Sequence, residues 1–581
     1  MEKKFVFLFA VIVVLIVAGI AFVSVPLPPK LVTPADFEVY VVSSMVKLHN
    51  SVGPYADLTL LNESNQLFKE MKLSSAKNEG ESVQLVISAA SIDVENIQIF
   101  VSDFLNSDGA VISNQSIELF YEYFVKISEP TDFLGGTGYY ADALPPLNNV
   151  FNVEKKRNQP IWVKMRVPKN AVEGVYSGKI RIESSNAGFV EVPVSLSVWN
   201  FTIPDEPSLT VLFGLGRDSI KIAYGLNDSN LNQKLDEYIT FMLKNKVTPF
   251  SSGNSFLYPN VVWNGTEVVV SFSNEQITYL KKYLSEYNAR AWQFPIGVWM
   301  ANKSFVSGLT KFSPEFNERF KQYLEKTIAL YEKEGIWNNI EFFTWIIDEP
   351  NSLSSYIETN NWSRIIASAS PKPKFMITEQ VTKQNNTWPD LEHIDIWCPS
   401  VRVFALTERT NASLYEGKEW WWYNGGNGAD YPAPNILDRE VASSRIMPWY
   451  SYKLEANGYL NWAVTYWGSF KNNPWNDPKL VDHTGGVGPG FSNGDGYFFY
   501  PSTLISQYTP MNDFEGVTTS IRWESFIDGM EDYEYLYKAS ISARQNAFDL
   551  VLNPYPFSKS PETFKKAREL LADDIVKGGL N

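Results

Sequence analysis

From residue 205 onward, short apolar runs alternate with longer stretches whose apolar residues return every three or four positions. Runs rich in β-branched and aromatic residues predict strands, and the wider spacing predicts helices with one buried face. The candidate strands are Leu209–Phe213, Val247–Phe250, Ala291–Phe294, Ile340–Ile347, Lys374–Ile377, Ile394–Cys398, Trp420–Tyr423 and Tyr459–Tyr466. Between them lie the helical stretches Leu231–Lys244, Asn274–Tyr287, Pro314–Lys333 and Asp438–Ala456. Eight strands interleaved with helices predict a (β/α)8 (TIM) barrel over residues 205–519. Ahead of it the period changes to two. Ile161–Val167 and Val190–Val198 alternate apolar and polar residues, as half-buried strands do. With Val83–Ser88, Ile97–Val101, Ile117–Ile127 and Val175–Glu183 they predict a β-sandwich over residues 36–204. Residues 520–581 read as a C-terminal helical extension, with Met530–Ser540 a helix and Glu531, Asp532 and Glu534 expected on its solvated face.

At the first 30 residues the pattern changes again. Lys3 and Lys4 precede an uncharged apolar stretch from Phe5 to Val23, followed by Pro26, Pro28 and Pro29. As a helix that stretch would be roughly 28 Å long at about 1.5 Å per residue, enough to cross a bilayer's hydrocarbon core. No A-x-A cleavage site follows it, so an uncleaved anchor with the lysines inside and the rest of the chain outside the cell is expected. Nine N-x-S/T sequons fit an external surface.

The densest chemical signal is the pair Asp348-Glu349, closed by Pro350 and standing at the end of the Ile340–Ile347 run. In a barrel the C-terminal strand ends carry the active site, and the fourth strand would present both carboxylates there. The alternative is a cluster of acids ahead of a helix, since Asn351 and Ser352 offer caps for a helix beginning near Leu353.

Composition narrows the chemistry. The single cysteine, Cys398, excludes an intramolecular disulfide and reads as a buried small hydrophobe. Three widely separated histidines, His49, His393 and His483, argue against a histidine metal site or a Ser-His-Asp triad. Gly214-Leu215-Gly216-Arg217 lacks the rest of a phosphate-loop fingerprint, and a net charge of −15 argues against nucleic acid. No cofactor is expected. Aromatics make up 15% of the chain and recur at predicted strand ends, at Trp299, Trp345, Trp397, Trp422, Tyr423, Tyr466 and Trp467. Most such rings fill cores, but a few at strand exits would suit the C–H faces of a sugar, Tyr466 and Trp467 first among them.

Several segments together carry a family resemblance. Ala76–Leu85, Tyr140–Leu147, Pro160–Pro168 and Gly174–Gly178 resemble the sandwich domain of glycoside hydrolase family 123. Asp348-Glu349-Pro350, Tyr466-Trp467 with Asn476-Asp477-Pro478, Gly494-Asp495-Gly496 with Tyr500-Pro501, and Ser520–Glu524 through Asp528–Leu536 resemble the related domain-of-unknown-function family 4091. The resemblance implies a retaining β-N-acetylgalactosaminidase in which the substrate's own 2-acetamido oxygen attacks the anomeric carbon. Asp348 would hold the acetamido N–H and stabilise the oxazolinium charge, and Glu349 would serve as acid and then base. Aromatic walls from Trp345, Trp397, Trp422, Tyr466 and Trp467 would dry the pocket, and Asn424 and Asp430 would bind hydroxyls.

Other readings stay open at this level. One alternative is a β-glycosidase acting on β-N-acetylglucosamine or on a sugar without an acetamide; in the latter case Glu379 after the fifth strand is the candidate nucleophile. A membrane-tethered surface protein that binds glycans without cleaving them is a further alternative, although a pure binder has no use for adjacent like charges. The expected partners are an oligosaccharide or glycoconjugate and, through the N-terminal helix, a membrane.

Overall fold

The eight predicted strands all form, and they line up parallel around one interior. The structure, a computed structural model, describes residues 35–287, 289–379, 387–400, 417–424, 432–467, 473–481, 491–553 and 556–578. The barrel strands are β1 (Thr210–Gly214), β2 (Thr248–Phe250), β3 (Ala291–Gln293), β4 (Glu341–Trp345), β5 (Lys374–Ile377), β6 (Ile396–Trp397), β7 (Glu419–Asn424) and β8 (Gly458–Asn461). Ladders run β2-β1-β8-β7-β6-β5-β4-β3. β2 and β3 lie side by side without a ladder, so the barrel is nearly closed with one seam. Each strand sends one residue into the interior layer: Leu212, Phe250, Ala291, Phe343, Met376, Ile396, Trp421 and Leu460. Above that layer stand Trp345, Cys398 and Tyr423. The barrel is therefore a packed core, with its polar chemistry confined to the rim.

Several strands are shorter than the apolar runs predict; Ile394–Cys398 pairs only at Ile396–Trp397, and two longer runs leave the barrel early. The run Ile340–Ile347 leaves the ladder after Trp345, and Ile346 to Glu349 form an irregular segment although Ile346 remains buried. The run Tyr459–Tyr466 leaves after Asn461, where the chain crosses directly over Gly214. A Cβ on Gly214 would stand 1.8 Å from the Trp462 carbonyl oxygen, so only glycine permits the crossing. The helices follow the predicted spacing: α1 (Asp228–Lys244), α2 (Asn274–Lys281), α3 (Pro314–Lys333), α4 (Leu353–Ala367) and α5 (Ala442–Lys453). Ser352 caps α4 with a reciprocal capping box through Ser355.

The sandwich is built on two sheets. One is antiparallel, in the order Glu38–Ser43, Glu79–Ala89, Arg157–Val167, Ile117–Tyr121. The other is centred on Gly174–Ser184 and Gly188–Thr202. Leu85, Ile87, Ile161 and Val163 face Ile180, Ile182, Val192 and Val194 in the shared core. Glu79–Ala89 is buried on both faces. Its second face, with Val86, joins Val42 and Trp162 against Val441 and Ile521 of the barrel side.

Ile521 begins α6 (Ile521–Lys538), whose first residues continue the strand pairing of Thr519–Ser520 with Gly138–Leu144. Here the expectation of a solvated acidic face is overturned. Glu531, Asp532 and Glu534 are all buried. Asp532 pairs with Arg445 and Arg568, Glu531 accepts from the Gly80 N–H at 3.1 Å, and Glu534 accepts from Ser208 at 2.7 and 2.8 Å. The acids join α6 to the sandwich and to α5 and are no part of the solvated surface. Among the described residues no helix is long and apolar enough to cross a membrane, and the segment 5–23 lies outside them.

Candidate active site

Asp348 and Glu349 stand three and four residues beyond the end of β4, ahead of the first turn of α4 rather than in it. Both keep exposed surface at the barrel's C-terminal rim. Glu349 has φ of 42°, a left-handed backbone unusual for a residue with a side chain, and such strain persists where surrounding structure enforces it. The enforcing group is Thr378, immediately after β5. Its hydroxyl accepts the Glu349 backbone N–H at 2.9 Å and donates to Asp348 Oδ1 at 2.7 Å. One hydroxyl therefore fixes the backbone of one acid and the side chain of the other.

Each carboxylate has its own surroundings. Burial pushes the Asp348 carboxyl above the usual range; the Thr378 hydroxyl opposes that shift and the neighbouring Glu349 charge adds to it. The Trp345 indole N–H lies close enough to Asp348 to favour its ionised form without completing a hydrogen bond. Glu349 receives the hydroxyl of Tyr423, which rises from the barrel interior on β7. Burial first, then the charge of Glu349, drives the Tyr423 phenol far above its ordinary value, so it acts as a donor.

A cleft of about 860 Å³ opens beside the pair, over the unladdered seam between β2 and β3. The seam is bridged by a side chain: Gln293 Oε1 accepts the Ser251 N–H at 2.8 Å. Trp345, Ile346 and Asp348 form one side of the cleft, and Tyr258 and Trp299 form the other. Those two rings stack at 5.5 Å with planes 6° apart, and Trp299 is 41% exposed. Among the described residues no group of His, Cys, Asp and Glu is arranged to hold a metal ion.

The remaining predicted contacts stand elsewhere. Trp422 is buried on the outer face of β7, its indole N–H donating to Ser451 at 2.9 Å. Trp397 is likewise buried in the layer between barrel and helices. Asn424 is fully enclosed, donating to the Pro432 carbonyl and accepting from Tyr459. Trp467 is buried and donates to the Phe499 carbonyl at 2.8 Å. Trp397, Trp422 and Asn424 serve the core because strand residues alternate faces, and the strand-end position alone does not reveal which face is taken; Trp467 lies beyond the end of β8, in the segment that turns back over the barrel. Tyr466 keeps an exposed ring 5.1 Å from Trp462 but is not among the residues lining the cleft. Glu379 is buried and accepts from Tyr356 of α4 at 3.3 Å, away from the cleft lining. Asp430 lies outside the described residues. Thr378, Gln293 and Tyr258 went unread in the sequence. Their shared signal is position, at the last residue of a strand, directly after one, or in the loop that follows.

Comparison with known proteins places these features in a family. Residues 256–538 match the family model "Glycoside hydrolase 123, catalytic domain", and residues 59–184 match "Glycoside hydrolase 123 N-terminal domain". No curated protein is significantly similar in sequence. Among solved structures, a family 123 glycoside hydrolase from Clostridium perfringens, described for glycolipid glycan hydrolysis, aligns with a TM-score of 0.64 at 16% identity. The alignment covers 93% of this chain and 97% of that one, a likeness of fold along nearly both whole lengths. A β-D-glucuronidase from Dictyoglomus thermophilum (TM-score 0.28, 11% identity, 83% and 98% covered) and a family 5 xyloglucanase from Bacteroides ovatus (0.27, 7%, 80% and 98%) align too weakly to carry any inference.

Proposed function

This chain belongs to glycoside hydrolase family 123, and from that premise we propose that it releases terminal β-linked N-acetylgalactosamine with retention, the substrate's own acetamido oxygen acting as nucleophile. The observation that carries the proposal is the pair of adjacent acids joined through one Thr378 hydroxyl. A retaining enzyme with a protein nucleophile needs carboxyls about 5–5.5 Å apart on opposite faces of the scissile bond. Consecutive residues leave one strand end on one side of the scissile bond; among the described residues Asp348 is the only acid lining the cleft, and Glu349 stands next to it outside that lining. The missing nucleophile is then supplied by the substrate.

In this reading the acetamido oxygen attacks C1 as the glycosidic bond breaks, and Glu349 gives its proton to the departing oxygen. Asp348, ionised, accepts the acetamido N–H and offsets the positive charge of the oxazolinium ion. Water then attacks C1, Glu349 takes its proton, and the acetamide is restored with the original anomeric configuration. Tyr423 orients the Glu349 carboxyl between the two steps, and Trp345 and Ile346 shield the reacting face from water. We further place the enzyme outside the cell, anchored through residues 5–23. The apolar run behind two lysines and the sequons support this placement.

The test is hydrolysis of aryl β-glycosides with and without the 2-acetamido group by the full chain, beside Asp348→Asn and Glu349→Gln. Cleavage limited to N-acetyl-β-hexosaminides, fastest for the galacto sugar and lost in both variants, is expected. Faster turnover of the gluco epimer would reassign the sugar. Cleavage of glycosides lacking the acetamide would end the substrate-assisted reading, and binding without turnover of any substrate would leave a glycan-binding protein.

A further inference from the structure

The cleft is larger than the reaction requires. At about 860 Å³ it lies near the upper end of the roughly 300–1,000 Å³ typical of small-molecule sites, more than one terminal sugar ring fills. Its Asp348 side belongs to the fourth strand exit, and the stacked pair Tyr258 and Trp299 belongs to the second and third. The aromatic platform therefore rises from the two strand exits next around the rim from the one that bears the acids. A second sugar, next to the one released, would meet that platform.

Lys303 shapes what this second sugar is. Its ammonium lies 5.0 Å from the Trp299 ring and lines the same cleft. Several other lysines of this part of the barrel are matched with carboxylates: Lys281 with Glu334, Lys311 with Glu358 and Lys326 with Glu267. Lys303 makes no ion pair with any described residue, and among the described residues it is the only cation lining the cleft, in a chain whose net charge is −15. An exposed cation–π contact is weak and occupies only one direction around the ammonium. Its N–H groups remain available to an acceptor seated on the ring, and an ionised acceptor forms the stronger bond.

We propose that Lys303 recognises an anionic substituent, a carboxylate or a sulfate ester, on the sugar adjoining the released N-acetylgalactosamine. The inference rests on the reaction proposed above and adds a specificity to it. Trp299 holds the C–H face of the neighbouring ring, and the ammonium beside it selects a charge that the rest of this acidic molecule repels.

The experiment compares full-length wild type, Lys303→Gln and Lys303→Arg on three matched disaccharides. Each carries terminal β-N-acetylgalactosamine, on a neutral hexose, on a uronic acid or on a 6-sulfated hexose; an aryl N-acetyl-β-galactosaminide serves as reference. Wild type is expected to favour one or both acidic disaccharides by about five- to tenfold in kcat/KM, mainly through KM, as suits one charge-assisted contact at a cleft rim. The preference is expected to collapse in Lys303→Gln, to survive in Lys303→Arg, and to fade in about 1 M salt, where the screening length is only about 3 Å. Which acidic substrate wins separates carboxylate from sulfate. Equal rates on neutral and acidic disaccharides, or an equal loss on all three in Lys303→Gln, would overturn the inference while leaving the reaction intact. Failure to release N-acetylgalactosamine from the aryl reference would remove the underlying reaction and the inference with it.

Discussion

The hydroxyl of Tyr423 donates to the carboxylate of Glu349, joining the seventh strand of the barrel to the exit of the fourth. Tyr423 is packed in the interior, so its ring has little freedom and its hydroxyl is set before substrate arrives. A hydrogen bond to a charged group contributes about 1.5–3 kcal/mol, and each 1.4 kcal/mol is tenfold in rate. Tyr423→Phe is therefore expected to lower kcat by about 10- to 100-fold with a much smaller change in KM and no change in the unfolding midpoint. Steady-state kinetics with thermal unfolding measures all three. A rate within twofold of wild type would show that the phenol does not orient the acid.

Thr378 makes a prediction about pH. Asp348 has a raised carboxyl pKa, and the Thr378 hydroxyl is what restrains the rise. The proposed reaction needs Asp348 ionised, so activity is lost as pH falls through its raised value. Thr378→Val removes the restraint and the tether to the Glu349 N–H together. The acid limb of kcat/KM is expected to move to higher pH and the plateau to drop about tenfold, the worth of one such hydrogen bond. Thr378→Ser keeps the hydroxyl and should restore both. An acid limb that stays put in Thr378→Val would detach Asp348 from the limb.

What the sequence displays and what it hides can be read from the strand exits. Runs such as Lys374–Ile377 are apolar because they are buried on both faces, and that signal survives without any homologue. A run of four aromatics, Trp420 to Tyr423, carries no alternation and so does not say which rings face the axis. The register decides: Trp421 stands opposite Gly458 of β8, where a Cβ would come within 2.7 Å of the indole. Gly458 makes room for Trp421 inside the barrel, which turns Trp422 outward and brings Tyr423 to the acids. The pair Asp348-Glu349 was legible because two acids closing an apolar run are conspicuous. Thr378 was not, since a threonine after a strand resembles any turn residue until its partners, some 30 positions earlier, are placed beside it.

The acids of α6 mislead for a related reason. Asp532 is wholly buried, 2.7 and 2.9 Å from Arg445 and 2.9 Å from Arg568, with the Trp449 indole N–H at 3.0 Å. Its partners come from α5 and from the helix Pro561–Val576, distant segments that no local pattern reveals. Asp532→Asn would leave two buried guanidinium groups short of counter-charge. Breaking such a buried pair costs about 3–5 kcal/mol, so a clear drop in urea midpoint is expected, with KM of the remaining folded enzyme close to wild type. An unchanged midpoint would mean that Glu79 and Glu81, which also hold Arg568, suffice.

Glu122 carries the last prediction, on stability against pH. It lies between the strands Ile117–Tyr121 and Tyr123–Ile127, fully buried, and neither carboxylate oxygen has a hydrogen-bond partner among the described residues. Burial pushes its carboxyl well above the ordinary value, opposed only by the charge of Lys47, which itself sits 3.5 Å from Asp142. The folded protein thus retains a proton that the unfolded chain releases near the ordinary glutamate value of about 4.3. Stability from this group is complete below that pH and is lost as pH rises towards the folded value, because the folded state binds more protons. Each unit of elevation is worth about 1.4 kcal/mol. Glu122→Gln cannot titrate, so its unfolding midpoint is expected to match wild type near pH 4 and to exceed it increasingly towards pH 8. Taking the difference between the two proteins cancels every other titrating group. Parallel midpoint curves across that range would show that Glu122 is ionised in the folded state and compensated by Lys47.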